Sequence, residues 1–185
     1  MTVEFKPWPK TPRLNRDIVI TEKIDGTNAA VIITESGEVG AQSRNRLITP
    51  ENDNYGFASW VYEHANDLAN ILGPGHHYGE WWGSGIQRGY WLTNGDKRFS
   101  LFNTHRWRSR HELSEVGGLG VVPTLYHGPF NEVDILSVLD ELAALGSYAN
   151  PGYAFPEGIC IYHTASKQVY KVLLENDDIP KGLAA

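Results

Sequence analysis

Cysteine is almost missing from this chain: Cys160 is the single one in 185 residues. That count excludes an internal disulfide, and without a cysteine pair there is no zinc-ribbon pattern. Positive charge is also scarce, with 16 Lys and Arg against 22 Asp and Glu, a formal net of −6. Binding of nucleic acid normally shows as a basic surface, so any phosphate-holding face on this chain has to be local. No apolar run approaches the length of a membrane span. The N-terminal MTVEFKPWPKTPRLNR has polar and proline breaks where a signal peptide has its apolar stretch. These absences predict a soluble, cytoplasmic protein without membrane association. Repeats, heptad arrays and low-complexity segments are absent as well.

What is present suffices for one sizeable core: 41% of the residues are hydrophobic, and one domain over residues 1–185 is expected. IVITEKI, NAAVIIT and EVGAQSR read as strands with a turn at Ser36-Gly37, an antiparallel meander. From Tyr55 to Leu72 the apolar residues Phe57, Trp60, Val61, Leu68, Ile71 and Leu72 recur at helical spacing, ended by Gly73-Pro74-Gly75. A second helix runs through NEVDILSVLDELAALG, with Asn131 as N-cap and Gly146 as its stop. RFSLFN reads as a strand, and EGICIYH and QVYKVLL close the chain as two more around a turn at Thr164 to Lys167. The fold class is α+β, mostly antiparallel sheets flanked by helices.

Lys23, in TEKIDGTNAAV, stands at the close of a β-branched run, half-way into a core where an ammonium ion is costly. Asp25-Gly26 just after it is a common hairpin turn, so a plain hairpin is one reading. Other polar residues sit at strand ends in the same manner: Arg44 in QSRNR, Glu80 in YGEWWG and Glu157 in PEGICIYH, with Lys171 inside the apolar VYKVLL. Taken singly, each reads as a surface charge. Taken together, they are the residue types that phosphoryl chemistry uses.

The order of these segments resembles the covalent nucleotidyltransferases, the family of ATP-dependent RNA ligases, DNA ligases and mRNA capping enzymes, and most closely the RNA ligase 2-like branch. EKIDGTN is similar to motif I with Lys23 as nucleophile, and SRNRLITP to the arginine motif that follows, through Arg44. YGEWWG resembles motif III through Glu80, RFSLFN motif IIIa through Phe102, PEGICIYH motif IV through Glu157 and YKVLL motif V through Lys171. The resemblance implies an adenylation domain of the ATP-grasp-like ligase type. It implies ATP and Mg²⁺ (or Mn²⁺) as cofactors. The expected substrate is RNA with a 5′-phosphate and a 3′-OH, a nicked duplex being one form of it, sealed through a lysyl-AMP.

The resemblance also assigns roles. Lys23 must attack as the free amine, which partial burial and a nearby cation favour. Lys171 and the metal would stabilise charge on the α-phosphate, with Glu157 holding the metal or its water shell. Glu80 would accept hydrogen bonds from the ribose hydroxyls, Phe102 would stack on adenine and Arg44 would fork a phosphate. Glu22 and Asn28 would contact adenine or phosphate. Two positions depart from the family pattern: Leu173 stands where motif V usually has a second lysine, with Lys181 as candidate replacement, and Asn103 stands where motif IIIa usually has Asp. The chain also ends soon after motif V, so no separate C-terminal domain is expected. RNA would then lie on the basic stretch Lys97, Arg98, Arg106, Arg108 and Arg110. A GTP-using capping guanylyltransferase, a DNA ligase and a non-catalytic module that binds nucleic-acid ends are the competing functions.

Overall fold

The Asp25-Gly26 pair does not close a hairpin. In the computed structural model, which describes residues 3–178, strand β1 (Asp17–Lys23) ends at Lys23. The chain then crosses through Ile24, Asp25 and Gly26 into a different sheet as β2 (Thr27–Ile33). With β3 (Val39–Ser43), β4 (Leu47–Ile48), β5 (Gly75–Gly83), β6 (Lys97–Leu101) and β7 (Leu119–Val121), β2 forms a six-stranded sheet of order β4-β3-β2-β5-β6-β7. Strands β8 (Thr124–Pro129), β9 (Gly158–His163) and β10 (Gln168–Leu173) join β1 in a four-stranded sheet of order β10-β9-β1-β8. Pairing is antiparallel throughout except between β6 and β7. The expected meander is therefore half right: β2 and β3 form a hairpin, with Gly37 at φ 84, but β1 pairs with β8 and β9 instead.

The helical period over 57–72 is real, yet it makes two helices, α1 (Phe57–Glu63) and α2 (Ala65–Leu72). The backbone leaves helical geometry at His64, whose ring Nδ1 lies 2.9 Å from the Trp60 carbonyl, a side chain intruding on the helical ladder. After the short α3 (Thr104–Trp107) comes α4 (Glu132–Leu145), where the Val133 N–H donates to Asn131 Oδ1 at 3.0 Å and Gly146 ends the helix at φ 82. Both expected caps are in place.

Each sheet has one covered face. Ala29, Val31, Ile33, Trp81, Phe99 and Leu101 of the large sheet pack on Phe57, Val61, Leu68 and Leu72 of α1 and α2. Ile18, Ile20, Ile159 and Ile161 of the small sheet pack on Ile135 and Leu142 of α4. Burying each such side chain is worth about 1.5–3 kcal/mol, so the two sheets hold their own shapes. A third cluster, Ile24, Trp82, Tyr90, Val122 and Tyr153, fixes the crossover itself. The second face of the small sheet is partly exposed at Thr21, Lys23 and Lys171, and residues 24–26 join it to the face of the large sheet that carries Asn28, Glu80 and Trp82. Among the described residues no helix is long and apolar enough to cross a membrane.

Candidate active site

Strand alternation decides which face each side chain takes. On β1, Ile18, Ile20 and Glu22 turn toward α4, and Lys23 turns the other way. Beyond it the crossover presses on β5: a Cβ at Gly26 would collide with the Trp81 carbonyl oxygen and stand 2.8 Å from Trp82 Cβ. Only glycine allows that approach, and the approach lets the Gly26 N–H donate to Glu80 Oε1 at 3.1 Å. The next residue back is tied too: the Asp25 N–H donates to the Tyr90 hydroxyl at 2.9 Å, and Asp25 Oδ2 accepts from Arg88 Nε at 3.2 Å.

Lys23 Nζ meets Glu157 Oε2 at 2.5 Å, with 23% and 16% of the two side chains exposed. Glu157 is therefore the charged group in direct contact with Lys23. Lys171 is exposed on the same open face: it pairs with Cys160, which pairs with Thr21 two residues before Lys23. Burial pushes the Cys160 thiol up, and Lys23 and Lys171 both act against that shift, so the two lysines flank one spot.

Across the crossover, Glu80 is buried, and burial lifts its carboxyl to about 7 despite the opposing pull of Lys23 and of the Gly26 N–H. Its second oxygen, Oε2, accepts from Asn28 Nδ2 at 3.0 Å, its cross-strand partner. Phe102 follows β6, where its N–H donates to the Tyr78 carbonyl at 3.0 Å, and its ring is partly exposed. Arg44 is exposed just past β3.

A family model for RNA ligases matches residues 16–173. The chain belongs to the RNA ligase family. Comparison with curated protein sequences finds no match. Among solved structures it is similar to those of a Naegleria gruberi RNA ligase. A mutant of that ligase with ATP and Mn aligns at a TM-score of 0.63 and 18% identity, covering 86% of this chain and 50% of that one. A second mutant with ATP and Mn gives 0.61 at 20% identity, covering 86% and 49%. A third, with AMP and Mn, gives 0.60 at 19%, covering 86% and 50%. At such identities the likeness is one of fold, and the chain spans about half the length of these structures.

Within the RNA ligase frame, several expected residues stand elsewhere than the motif pattern implies. Glu22 does not face the site. Its Oε1 accepts from Ser147 Oγ at 2.6 Å and its Oε2 from the Tyr148 and Ala149 N–H groups, both at 2.8 Å. Burial raises its carboxyl above the ordinary range, and these bonds hold it back. It clasps the loop after α4 to the back of β1. The signal for this was in the sequence: two adjacent strand residues cannot both face one pocket. Asn103 caps α3, its Oδ1 accepting from the Arg106 N–H at 3.1 Å. Lys181 lies outside the described residues.

The basic stretch is not one surface. Lys97 Nζ donates to the Tyr55 carbonyl at 2.8 Å. Arg98 turns to the opposite face, held by Asp96 at 3.0 Å and lying 5.4 Å over the Trp82 ring. Arg106 donates to the Leu72 carbonyl at 2.9 Å, and Arg110 is 3.9 Å from Glu112. Arg108 is exposed. One residue outside the expected set connects the site: Arg88 bonds Asp25, donates to the Phe155 carbonyl at 3.1 Å and lies 3.9 Å from Glu175. It thereby ties segments beside Lys23, Glu157 and β10. An arginine in a glycine-rich loop gave no sequence signal for this.

Among the described residues, no three His, Cys, Asp or Glu side chains form a metal cage. Glu157 stands at the site, with Asp25 and Glu80 close enough for the charges to act on one another. Mg²⁺ and Mn²⁺ suit such a sparse set, because Mg²⁺ takes one or two carboxylates and fills its octahedron with water and phosphate oxygens. The residues present therefore fit a nucleotide-bound divalent ion.

Proposed function

We propose that this chain is the adenylating unit of an ATP-dependent RNA ligase. Lys23 Nζ attacks the α-phosphorus of ATP, pyrophosphate leaves, and a phosphoramidate to AMP forms. A 5′-phosphate oxygen of RNA then takes the AMP and releases Lys23, after which a 3′-OH attacks that phosphate and expels AMP. The observation that carries this reading is the Lys23–Glu157 pair, set beside Glu80 at the crossover between the two sheets.

Each residue then has a physical task. Glu157 holds Lys23 in place at rest and must release it before attack, since only the amine is nucleophilic. A divalent ion, when bound by Glu157 and the nucleotide, would supply positive charge where the phosphoryl oxygens gain negative charge. Lys171 adds a cation on the same face, and Arg44 adds a guanidinium fork at the rim. Glu80 and Asn28 offer their remaining hydrogen-bonding capacity to the ribose, and Phe102 offers a ring face to the base.

The test is intact mass measurement before and after incubation with ATP and Mg²⁺, repeated with GTP. A gain of one AMP moiety, acid-labile and absent from Lys23→Ala, is expected. No adduct with any nucleotide would leave a binding module, and a GMP adduct would point to a capping-type transferase.

A further inference from the structure

Residues 3–16 differ from the rest of the chain in charge, composition and packing. VEFKPWPKTPRLNR carries Lys6, Lys10, Arg13 and Arg16 against Glu4 alone, a net of +3, which leaves −9 for the remainder of a chain whose total is −6. The segment has no regular secondary structure and every residue in it is exposed. Trp8 is 92% exposed and Phe5 86%. Pro7, Pro9 and Pro12 fix φ and push the residues before them into extended backbone, so the segment is held open as an arm. Its root is anchored: the Leu14 carbonyl lies 2.7 Å from His163 Nε2, and the Arg16 carbonyl accepts from the Phe130 N–H at 2.9 Å.

We propose that this arm is the element that grips the RNA strand. Cations at 6, 10, 13 and 16 can each pair with a phosphate, and Phe5 and Trp8 on either side of Lys6 offer ring faces on which bases stack. The pairing of aromatics with cations is the composition by which unstructured segments hold single strands. The basic stretch at 97–110, by contrast, is spread over different faces and largely bonded to the protein itself. Reach is sufficient. The root lies at the end of β1 away from Lys23, about 20 Å along a strand of seven residues. Eleven residues of extended arm span about 34 Å at ~3.1 Å each. The arm can therefore fold back along the open face and bring an RNA end to Lys23.

RNA as the ligand follows from the ligase reading above; the grip itself follows from the arm's charge and aromatics. The probe is a single-stranded oligoribonucleotide with a 5′-phosphate, its binding followed by fluorescence anisotropy across a salt series. If the four arm cations each meet a phosphate, affinity falls about 50-fold between 50 and 200 mM salt, and only about 3-fold for the Lys6→Ala, Lys10→Ala, Arg13→Ala triple variant. Trp8→Ala is expected to weaken binding about tenfold with the salt slope unchanged, since stacking releases no counterions. AMP loading of Lys23 stays at the parental rate in both. RNA affinity and slope equal to the parent's in the triple variant would overturn the proposal and leave the arm as a protein-docking strand. Loss of AMP loading in step with RNA binding would overturn it also, by making the arm part of the adenylation centre. A parent that binds RNA through the arm yet never takes AMP would support the grip while refuting the ligase reading.

Discussion

On the open face of the small sheet, the polar side chains are held loosely and by charge. Lys23 and Glu157 are partly exposed and hold each other, and Lys171 is exposed. On the large sheet, the corresponding group is buried and held by directed hydrogen bonds: Glu80 is fixed from both sides by Gly26 and Asn28. The contrast fits the two different tasks that the proposed reaction gives these residues. A base and ribose are recognised by groups that do not move, so the energy of arranging them is spent during folding. In the proposed reaction Lys23 loses a proton and exchanges partners, which needs contacts that can be broken and remade.

The largest expected effect tests the reactive face at its centre. Lys23→Ala and Lys23→Arg should both abolish AMP loading, because a guanidinium does not deprotonate at working pH. Melting temperature should change little, since Lys23 contributes to none of the three core clusters. Undiminished loading of either variant would place the nucleophile elsewhere.

Next in size is the division between rate and affinity. Glu157→Gln removes the charge that faces Lys23 and should cut the loading rate at saturating ATP by about 10²- to 10³-fold, with a small change in KM. Phe102→Ala should do the reverse, weakening ATP binding by about 1–3 kcal/mol with the saturated rate nearly intact. Equal shifts of kcat and KM in both variants would erase the distinction between the two faces.

The parts of this arrangement that were legible in the sequence are those written in local order. The strand ends beside Arg44 and Glu157 could be found by pattern, and so could the α4 caps at Asn131 and Gly146, but Glu80 lies inside β5 and not at a strand end. The crossover could not, because Asp-Gly bends the chain equally well into a hairpin or into another sheet. What distinguishes them is the collision between a Gly26 Cβ and β5, a contact between residues 55 apart in the chain. β5 and β8 were missed because their glycine, proline and aromatic residues blur any alternation, and the shorter elements were missed for a related reason. β4, β7 and α3 have two to four residues each, too few for any period to show. The basic stretch misled because charge along a sequence says nothing of which face each residue takes, and β6 alone sends Lys97 and Arg98 to opposite sides.

A smaller effect should appear on the rigid face as pH changes. Glu80 is a carboxyl raised by burial from its ordinary value to about 7 in the folded chain. The folded state therefore binds the proton more tightly than the unfolded one, and this stabilisation is complete at low pH and lost as pH rises through about 7. Each tenfold difference in proton affinity between the two states is worth about 1.4 kcal/mol. From this group alone, stability should therefore fall by up to roughly 3 kcal/mol between about pH 4.5 and pH 8. Urea unfolding midpoints across that range would measure it. Glu80→Gln should flatten the profile and gain stability at pH 8, while weakening ATP binding. A profile unaltered by Glu80→Gln would mean that the buried carboxyl is not the group that titrates.

The smallest effect separates arginines that the sequence sets side by side. Arg106 holds the Leu72 carbonyl at the end of α2 and lies 4.3 Å over the Trp107 ring, so Arg106→Ala should cost about 1–2 kcal/mol. For a chain of this size that lowers the melting temperature by roughly 2–8 °C. Arg108 is exposed, and Arg108→Ala should stay within about 0.5 kcal/mol of the parent. AMP loading should be unchanged in both, because each lies away from the crossover. The informative measurement is RNA affinity at low salt. If Arg108→Ala weakened it as much as the arm substitutions do, the 97–110 stretch would share the strand with the arm, and the acidic body of the protein would carry a phosphate track after all.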